Sequence, residues 1–182
     1  MAEPPSPTLT TGAHEVVVVG ADEQADVDVD VERWTGLARA AVLAEGARGE
    51  LTLTFVDRVE MAELNREHLG HDGPTDVLSF PLDAGDDAGA PGATGVPVLL
   101  GDVVVCPAVA ADQAAAHAGT LEDELALLVV HGVLHVLGHD HAEPAETAVM
   151  RARELDLLQR HHWAGPAPSG FRQVHGDDQG SS

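Results

Sequence analysis

Three histidines between residues 131 and 141 have the spacing of a metal site. His131 and His135 lie four residues apart in the segment HGVLHVLGHDH. On a helix, such side chains project from one face about 5–6 Å apart at Cβ, so both imidazoles can bind one ion. Gly138 can adopt the left-handed conformation that turns the chain, which would return His141 to the same ion. The pattern predicts one metal ion held by His131, His135 and His141.

The type of site follows from the ligand count. Structural zinc sites are closed, usually by cysteines, whereas three imidazoles leave one coordination position open, as in catalytic zinc sites. Imidazoles suit zinc better than magnesium, and zinc lowers the pKa of a bound water to about 7. We therefore expect one catalytic Zn²⁺ per chain. Asp140, between two histidines, either orients a ligand from behind or caps the turn after Gly138, and both readings stay open.

A similar histidine spacing occurs in zinc proteases of the metzincin type. In those enzymes the residue after the first histidine is a glutamate that acts as general base. Here that residue is Gly132, so a peptidase would keep the ligands and lose the base. The chain has 11 histidines, which makes a chance pair conceivable. Burying two unpaired imidazoles in its most apolar segment would nevertheless be costly, and a metal removes that cost.

A buried helix must carry the first two histidines. Thr120 is a predicted N-cap with Asp123 three residues later, which resembles a capping box. The helix should run to Leu137 and end at Gly138. Its second half, LALLVVHGVLHVL, is apolar on every side. A helix with this pattern is expected at the centre of the fold.

The rest of the chain alternates between strand and helix patterns. Short β-branched or alternating runs predict strands, and apolar residues at helical spacing predict helices. The predicted strands are 15–19, 51–56, 76–80 and 98–105, and the predicted helices are 31–44, 57–69, 107–117 and 144–160. The last strand is apolar enough for a central position. The fold class is α+β: a single domain with a small mixed sheet, packed by helices around the central helix.

Composition divides the chain into a domain and two tails. Residues 1–13 and 164–182 are rich in Pro, Gly, Ser and Thr and are predicted to be disordered, which leaves a domain at 14–163. Residues 83–97 predict a flexible loop. The single cysteine, Cys106, is expected to be a small buried filler. The first residues lack the pattern of a signal peptide, and the apolar run 125–130 is too short for a membrane span, so we expect a cytoplasmic protein without a membrane partner.

The charge of the chain limits its partners. Its 182 residues include 31 acidic and 9 basic side chains, for a formal net charge of −22. Non-specific binding to nucleic acids or anionic membranes depends on Lys and Arg. The block 101–150, which contains the whole histidine motif, has 8 acidic residues and no Lys or Arg. The composition excludes a generic polyanion binder, but not a site-specific contact made by a metal and a few arginines.

The histidine segment, with two others, resembles the YbeY-type endoribonucleases, which are bacterial rRNA maturation factors. The other segments are Leu64-Asn65-Arg66 followed by PTDVLSFP at 74–81, and LGDVVV at 100–105. The resemblance covers about residues 51–158. It implies an α+β domain with one Zn²⁺ on His131, His135 and His141. It also implies a single-strand-specific endoribonuclease that matures the 16S rRNA 3′ end and acts in ribosome quality control.

The same resemblance implies the partners of the protein. These are rRNA and the small ribosomal subunit, with a ribosomal protein or an assembly GTPase as a further partner, and neither DNA nor a membrane. The nucleophile is left open between a zinc-bound water and the RNA 2′-OH, and no side chain is a convincing general base. Two other classes remain: a zinc metallopeptidase-like hydrolase, and a non-catalytic ribosome-assembly factor with a structural metal.

Two positions depart from the family pattern. His139 stands where many members have Tyr, and is a candidate donor behind the ligands or a competing ligand. Leu69 stands where many members have an Arg that is thought to serve activity. Arg66, one helical turn earlier, could replace that Arg or could be an ordinary exposed helix residue.

Overall fold

The computed structural model describes residues 15–82, 98–140 and 142–174. Its elements, in chain order, are β1 (Val16–Asp22), α1 (Val31–Ala44), β2 (Gly49–Phe55), α2 (Arg58–Leu69), β3 (Val77–Pro81), β4 (Leu99–Val105), α3 (Pro107–Gln113), α4 (Leu121–Val136) and α5 (Pro144–His161). Across these ranges, no helix is both long and apolar enough to cross a membrane. The predicted N-terminal tail 1–13, the predicted loop 83–97 and the end of the chain after 174 lie outside the described residues.

The sheet is mixed, as the sequence predicts. Its strands lie in the order β1-β2-β4-β3. β1, β2 and β4 run parallel, and β3 pairs with β4 in the antiparallel direction. The apolar strand β4 is therefore internal, which confirms its predicted central position. The α+β fold class is confirmed.

Side chains of the sheet alternate between two apolar clusters. Val103 and Val105 belong to the main core, which the sheet forms with α1, α4 and α5. Val104, between them, belongs to a second cluster that includes Met61 of α2 and Val109 of α3. Successive residues of a strand point to opposite faces, so the sheet separates these two layers of helices. Cys106 is fully buried in the second cluster, as expected.

Helix α4 is the centre of the fold. It contacts α1, α3, α5, β3 and β4, and nearly all of its residues are buried. The Thr120 side chain accepts a hydrogen bond from the Asp123 backbone N–H at 3.1 Å, so the predicted N-cap is confirmed. At the other end, Gly138 has φ +96°, the left-handed conformation that favours glycine. The helix is therefore held at the boundaries that the sequence predicts.

Gly132 lets α4 approach the sheet closely. A Cβ at this position would lie 2.5 Å from Val103 Cγ1 and 3.3 Å from Ser79 Oγ. The Ser79 hydroxyl donates a hydrogen bond to the Gly132 carbonyl oxygen at 3.1 Å. Ser79 therefore faces the helix rather than solvent. The glycine next to the first histidine has a packing role that any larger side chain would disturb.

The C-terminal boundary differs from the predicted residue 163. The Phe171 ring packs edge-on against Trp163 with 4.8 Å between centroids. The Arg172 backbone N–H donates to the His117 carbonyl oxygen at 3.0 Å. One aromatic anchor and backbone hydrogen bonds thus hold residues 164–174 on the domain, although their composition is typical of a tail. We call residues 163–174 the C-terminal segment.

Asp123 joins the start of α4 to the end of α5. Its Oδ1 accepts hydrogen bonds from Trp163 Nε1 at 2.7 Å and His162 Nε2 at 2.8 Å. Burial alone would raise the pKa of Asp123, but the hydrogen bonds from Trp163, His162 and Thr120 lower it below its ordinary value. The His162 side chain is therefore largely covered where it contacts Asp123.

Substitutions of two helical glycines should have opposite effects on stability. Gly132→Ala should lower the free energy of unfolding by about 1–2 kcal/mol, because overpacking against Val103 outweighs the gain in helix propensity. Gly36→Ala in α1 is the matched control. An added Cβ there meets nothing within 4 Å, so it should raise the free energy of unfolding by about 0.5–1 kcal/mol. Urea denaturation measures both, and equal stabilisation by the two variants would contradict the close approach of α4.

Trp163→Phe should lower the free energy of unfolding at neutral pH and reduce the loss of stability on acidification. A carboxylate whose pKa is depressed in the folded state stabilises the fold above its unfolded pKa, and that contribution is lost as the pH falls through the folded pKa. Without the indole N–H, we expect the free energy of unfolding to fall by about 1–2 kcal/mol at pH 7. As the pH falls from the ordinary Asp pKa of 3.8 through the lower pKa of Asp123 in the folded protein, the stabilities of the variant and the original protein should converge. Denaturation curves at several pH values measure this, and a difference that does not depend on pH would contradict the role of Asp123.

Candidate metal centre and adjoining cavity

His131 and His135 lie side by side on α4, as their spacing predicts. Their ring centroids are 4.4 Å apart and the ring planes meet at 80°. His131 is buried and His135 is half-buried. Both line the wall of a cavity. The structure thus brings together two of the three predicted metal ligands at the edge of the apolar core.

A buried carboxylate on α5 holds the first histidine. Glu154 Oε1 lies 2.6 Å from His131 Nδ1, and the Glu154 residue is fully buried. Since a carboxylate only accepts hydrogen bonds, Nδ1 donates, and Nε2 on the opposite edge of the ring is the nitrogen that suits a metal. A carboxylate behind a histidine is the usual arrangement in metal centres, where it sets the tautomer and the ring orientation.

Glu154 is a site residue that the sequence motifs do not identify. Its signal is a position on the apolar stripe of the last helix, four residues after Met150 and three before Leu157, all of which are buried. An acidic residue on such a stripe needs a buried partner. The sequence shows this need but does not identify the partner, because His131 lies 23 residues away on another helix.

The donor chemistry fits zinc. Two neighbouring imidazoles, one of them fixed by a carboxylate, form the kind of donor set that zinc prefers. Among the residues that the structure describes, no group of three His, Cys, Asp or Glu side chains is placed to hold an ion. His141, the predicted third ligand, is not one of those residues. The three-histidine site therefore stays a prediction, with two members placed together.

The cavity beside the histidines has a volume of about 480 Å³. It lies between the end of α2, strand β3 and helix α4, so two separate segments of the chain meet there. The lining residues are Asn65, His68, Leu69, His71, Thr75, Val77, Leu78, Ser79, Phe80, Pro81, His131, His135 and Asp140. The histidine segment and the segment 64–81, which are distant in the sequence, form one site.

Asp140 and His139 point in different directions. Asp140 is exposed and lines the cavity. His139 Nε2 lies 2.9 Å from Glu45 Oε2, and Glu45 also accepts a hydrogen bond from Arg153. Burial alone would raise the pKa of Glu45, but the Arg153 and His139 hydrogen bonds lower it. The His139 ring is engaged with Glu45 at the end of α1, which disfavours His139 as a competing metal ligand.

Arg66 does not line the cavity, so the structure does not support it as a substitute for the arginine expected at position 69. Leu69 lines the cavity and is 55% exposed. Arg66 lies on a separate shallow groove with Arg58 and Asp72. Among the described lining residues none is Lys or Arg, and His68 and His71 are the additional side chains there that can carry a positive charge. The His68 ring packs edge-on against Phe80 with 4.7 Å between centroids.

The segment 64–76 is shaped by buried polar side chains. The Asn65 side-chain amide donates to the Gly73 carbonyl oxygen at 2.8 Å, which closes the loop after α2. Asp76 is buried, and its Oδ1 accepts a hydrogen bond from the Val77 backbone N–H at 2.8 Å. Asp76 therefore sets the turn into β3, whereas Thr75 lines the cavity. The two neighbours have different roles.

The structure disfavours a peptidase. A glutamate after the first histidine would replace Gly132, whose place for a Cβ is already filled by Val103. Such a base would require α4 to move away from the sheet. The histidine pair is therefore built for a chemistry that does not use a side chain at this position.

Comparison with known proteins shows the family. The family model described as Endoribonuclease YbeY matches residues 20–162. Among the curated relatives, a protein named Endoribonuclease YbeY from Salinispora tropica is 48% identical over 141 residues, which cover 74% of this chain and 90% of the relative. A protein of the same name from Mycolicibacterium vanbaalenii is 39% identical over 160 residues, 86% of each chain.

A solved structure shows the same fold. The solution structure of TM1509 from Thermotoga maritima matches with a TM-score of 0.52 and 23% sequence identity. The match covers 91% of this chain and 99% of that one. The matched family region contains both segments that meet at the cavity, so the resemblance seen in the motifs is confirmed. This chain belongs to the YbeY family of endoribonucleases.

Proposed function

We propose that this protein is a zinc-dependent, single-strand-specific endoribonuclease that matures the 16S rRNA 3′ end and acts in ribosome quality control. The observation that carries the proposal is the pair His131–His135, with His131 held by buried Glu154, beside a cavity formed by two family segments. The endoribonuclease names of the relatives support RNA as the substrate.

The metal would be held by His131, His135 and His141. When bound, zinc supplies a Lewis acid that polarises a phosphoryl oxygen and favours attack by water or by the RNA 2′-OH. Glu154 holds the Nδ1 proton of His131 and so keeps its Nε2 available as a donor atom. Asp140, on the cavity wall, would accept a hydrogen bond from a ligand or from the substrate.

The cavity would bind an unpaired RNA strand. The cavity volume is in the range of small-molecule sites. It suits nucleotides of an unpaired strand, whose bases are accessible, rather than a duplex, whose bases are stacked inside the double helix. His68 and His71 would contact the phosphates, and Thr75 would donate a hydrogen bond to the backbone. Leu69 and Phe80 add apolar surface against which a base can pack.

Because the protein is strongly acidic, contacts with the ribosome, rather than attraction to the RNA backbone, would bring the protein to its substrate. Several arginines are already committed to acidic neighbours: Arg58 to Asp112, Arg153 to Asp156, and Arg33 to Glu122. Because the net charge of the protein is −22, its long-range electrostatic interaction with RNA is either weakly attractive or repulsive. We propose that the small subunit, with a ribosomal protein or an assembly GTPase, delivers rRNA to the site in the cytoplasm.

Cleavage should depend on the metal and on His135. We expect the purified protein to contain zinc, to cut single-stranded rRNA, to stop when a chelator removes the metal, and to recover on addition of zinc. His135→Ala should abolish zinc binding and lower the cleavage rate at least a hundredfold, because a catalytic metal contributes several kcal/mol. His161→Ala, an exposed histidine at the end of α5, is the matched control and should behave like the original protein.

The same assay separates the competing functions. Casein is included as a second substrate. Cleavage of casein instead of RNA would indicate a peptidase, and cleavage of neither by zinc-loaded protein would indicate an assembly factor with a structural metal. RNA cleavage that survives in zinc-free His135→Ala would point to a contaminating nuclease.

The isolated protein should bind naked RNA weakly. Fluorescence anisotropy with a labelled single strand should give a dissociation constant in the micromolar range or above, since few cations are available to release counterions. Binding to small subunits should be tighter under the same salt conditions. Tight binding to naked RNA that is insensitive to salt would contradict the proposed mode of targeting.

A further inference from the structure

The C-terminal segment, residues 163–174, extends beyond the family match, which ends at residue 162. It nevertheless reaches back to the metal centre. Phe171 packs on Trp163, and both are packed against the main core. This anchor brings the next residues of the segment over the face of α5 that carries Glu154.

Gln173 contacts the carboxylate behind the first histidine. Its side-chain Nε2 donates to Glu154 Oε2 at 2.5 Å and to the Arg151 carbonyl oxygen at 2.7 Å. The other oxygen of the same carboxylate, Oε1, lies 2.6 Å from His131 Nδ1. One carboxylate group therefore connects the C-terminal segment to the histidine.

The two contacts of Gln173 fix the orientation of this carboxylate. The Arg151 carbonyl holds the amide in place, and the amide then directs Oε2 away from the histidine so that Oε1 faces Nδ1. A fully buried carboxylate gains more from each donor than an exposed one, because water does not compete. Loss of the amide donor would remove one of the contacts that orient the carboxylate and would weaken its hold on the imidazole.

We propose that Gln173 is a positioning residue of the metal centre, acting on His131 through Glu154. This inference rests on the proposed zinc site, but it also predicts a property of the metal-free protein. The hydrogen bond between His131 and Glu154 should be weaker without Gln173, whether or not zinc is present. The segment would then be part of the active site and not only a cover for the core.

The first experiment measures zinc affinity by competition with a chromophoric chelator. Gln173→Ala should raise the zinc dissociation constant about tenfold, at the lower end of the effects seen for groups behind metal ligands. Ser169→Ala, an exposed residue of the same segment, is the matched control and should leave the affinity unchanged. An unchanged affinity in Gln173→Ala, with normal zinc binding by the original protein, would overturn the inference and leave the proposed function intact.

A double-mutant cycle separates positioning from simple stabilisation. In a Glu154→Ala background, Gln173→Ala should have little further effect on zinc affinity, since no side chain then connects Gln173 to His131. A purely structural role would lower the affinity by the same factor in both backgrounds, and that result would also overturn the inference. Thermal unfolding of the metal-free variants checks that each is folded.

The second readout needs no metal. A proton NMR spectrum of the metal-free protein should show the His131 Nδ1–H signal at low field, as expected for an imidazole that donates a hydrogen bond to a carboxylate. Gln173→Ala should move it upfield or broaden it by exchange with water, whereas Ser169→Ala should not. An identical signal in Gln173→Ala would contradict the inference, even if the protein proves to bind no zinc.

Discussion

The hydrogen bond between His131 and Glu154 is the interaction on which the site depends. It joins two helices inside an apolar core, at 2.6 Å and with both groups almost completely buried. Neither group would be tolerated there alone, because an unpaired buried polar group costs several kcal/mol. Together they fix the packing of α5 on α4 and the tautomer of the imidazole. Stability and the proposed metal chemistry therefore share one contact.

Close packing of α4 on the sheet is the second constraint. Gly132 lets the helix approach Val103, and Ser79 on the neighbouring strand bonds to the Gly132 carbonyl. The same strand, β3, forms a wall of the cavity. The close packing thus fixes the distance between the histidines and β3. Gly132 permits this packing, and a glycine at this position also excludes the glutamate of a zinc protease. A packing requirement and a functional distinction coincide at one position.

The charge of the molecule shapes how such a site can be used. The described residues that line the cavity offer imidazoles rather than guanidinium groups, and Leu69 adds apolar surface there. Arg66 lies on another groove, and Arg153 is committed to Glu45 and Asp156. A site of this kind depends on local geometry to select what it binds. It has little means of attracting polyanions from a distance.

Local patterns determined most of the elements and part of the site. Asp57 and Thr120 are helix caps because their side chains bond backbone groups two or three residues away, and Gly70 and Gly138 end helices because each residue must adopt positive φ. The pairing of His131 with His135 follows from one helical turn. Such short-range effects depend only on neighbouring residues, so the sequence is sufficient to predict them.

Tertiary structure decided whatever depends on contacts between distant residues. Only the fold pairs Glu154 with His131, directs His139 to Glu45, and separates Arg66 from the cavity. It also holds residues 164–174 on the domain, where the composition predicts a tail, because Phe171 and a few backbone hydrogen bonds suffice to anchor them. A buried polar residue shows in the sequence that it needs a partner. Which partner it finds is decided by how the helices pack, and that is a property of the whole chain.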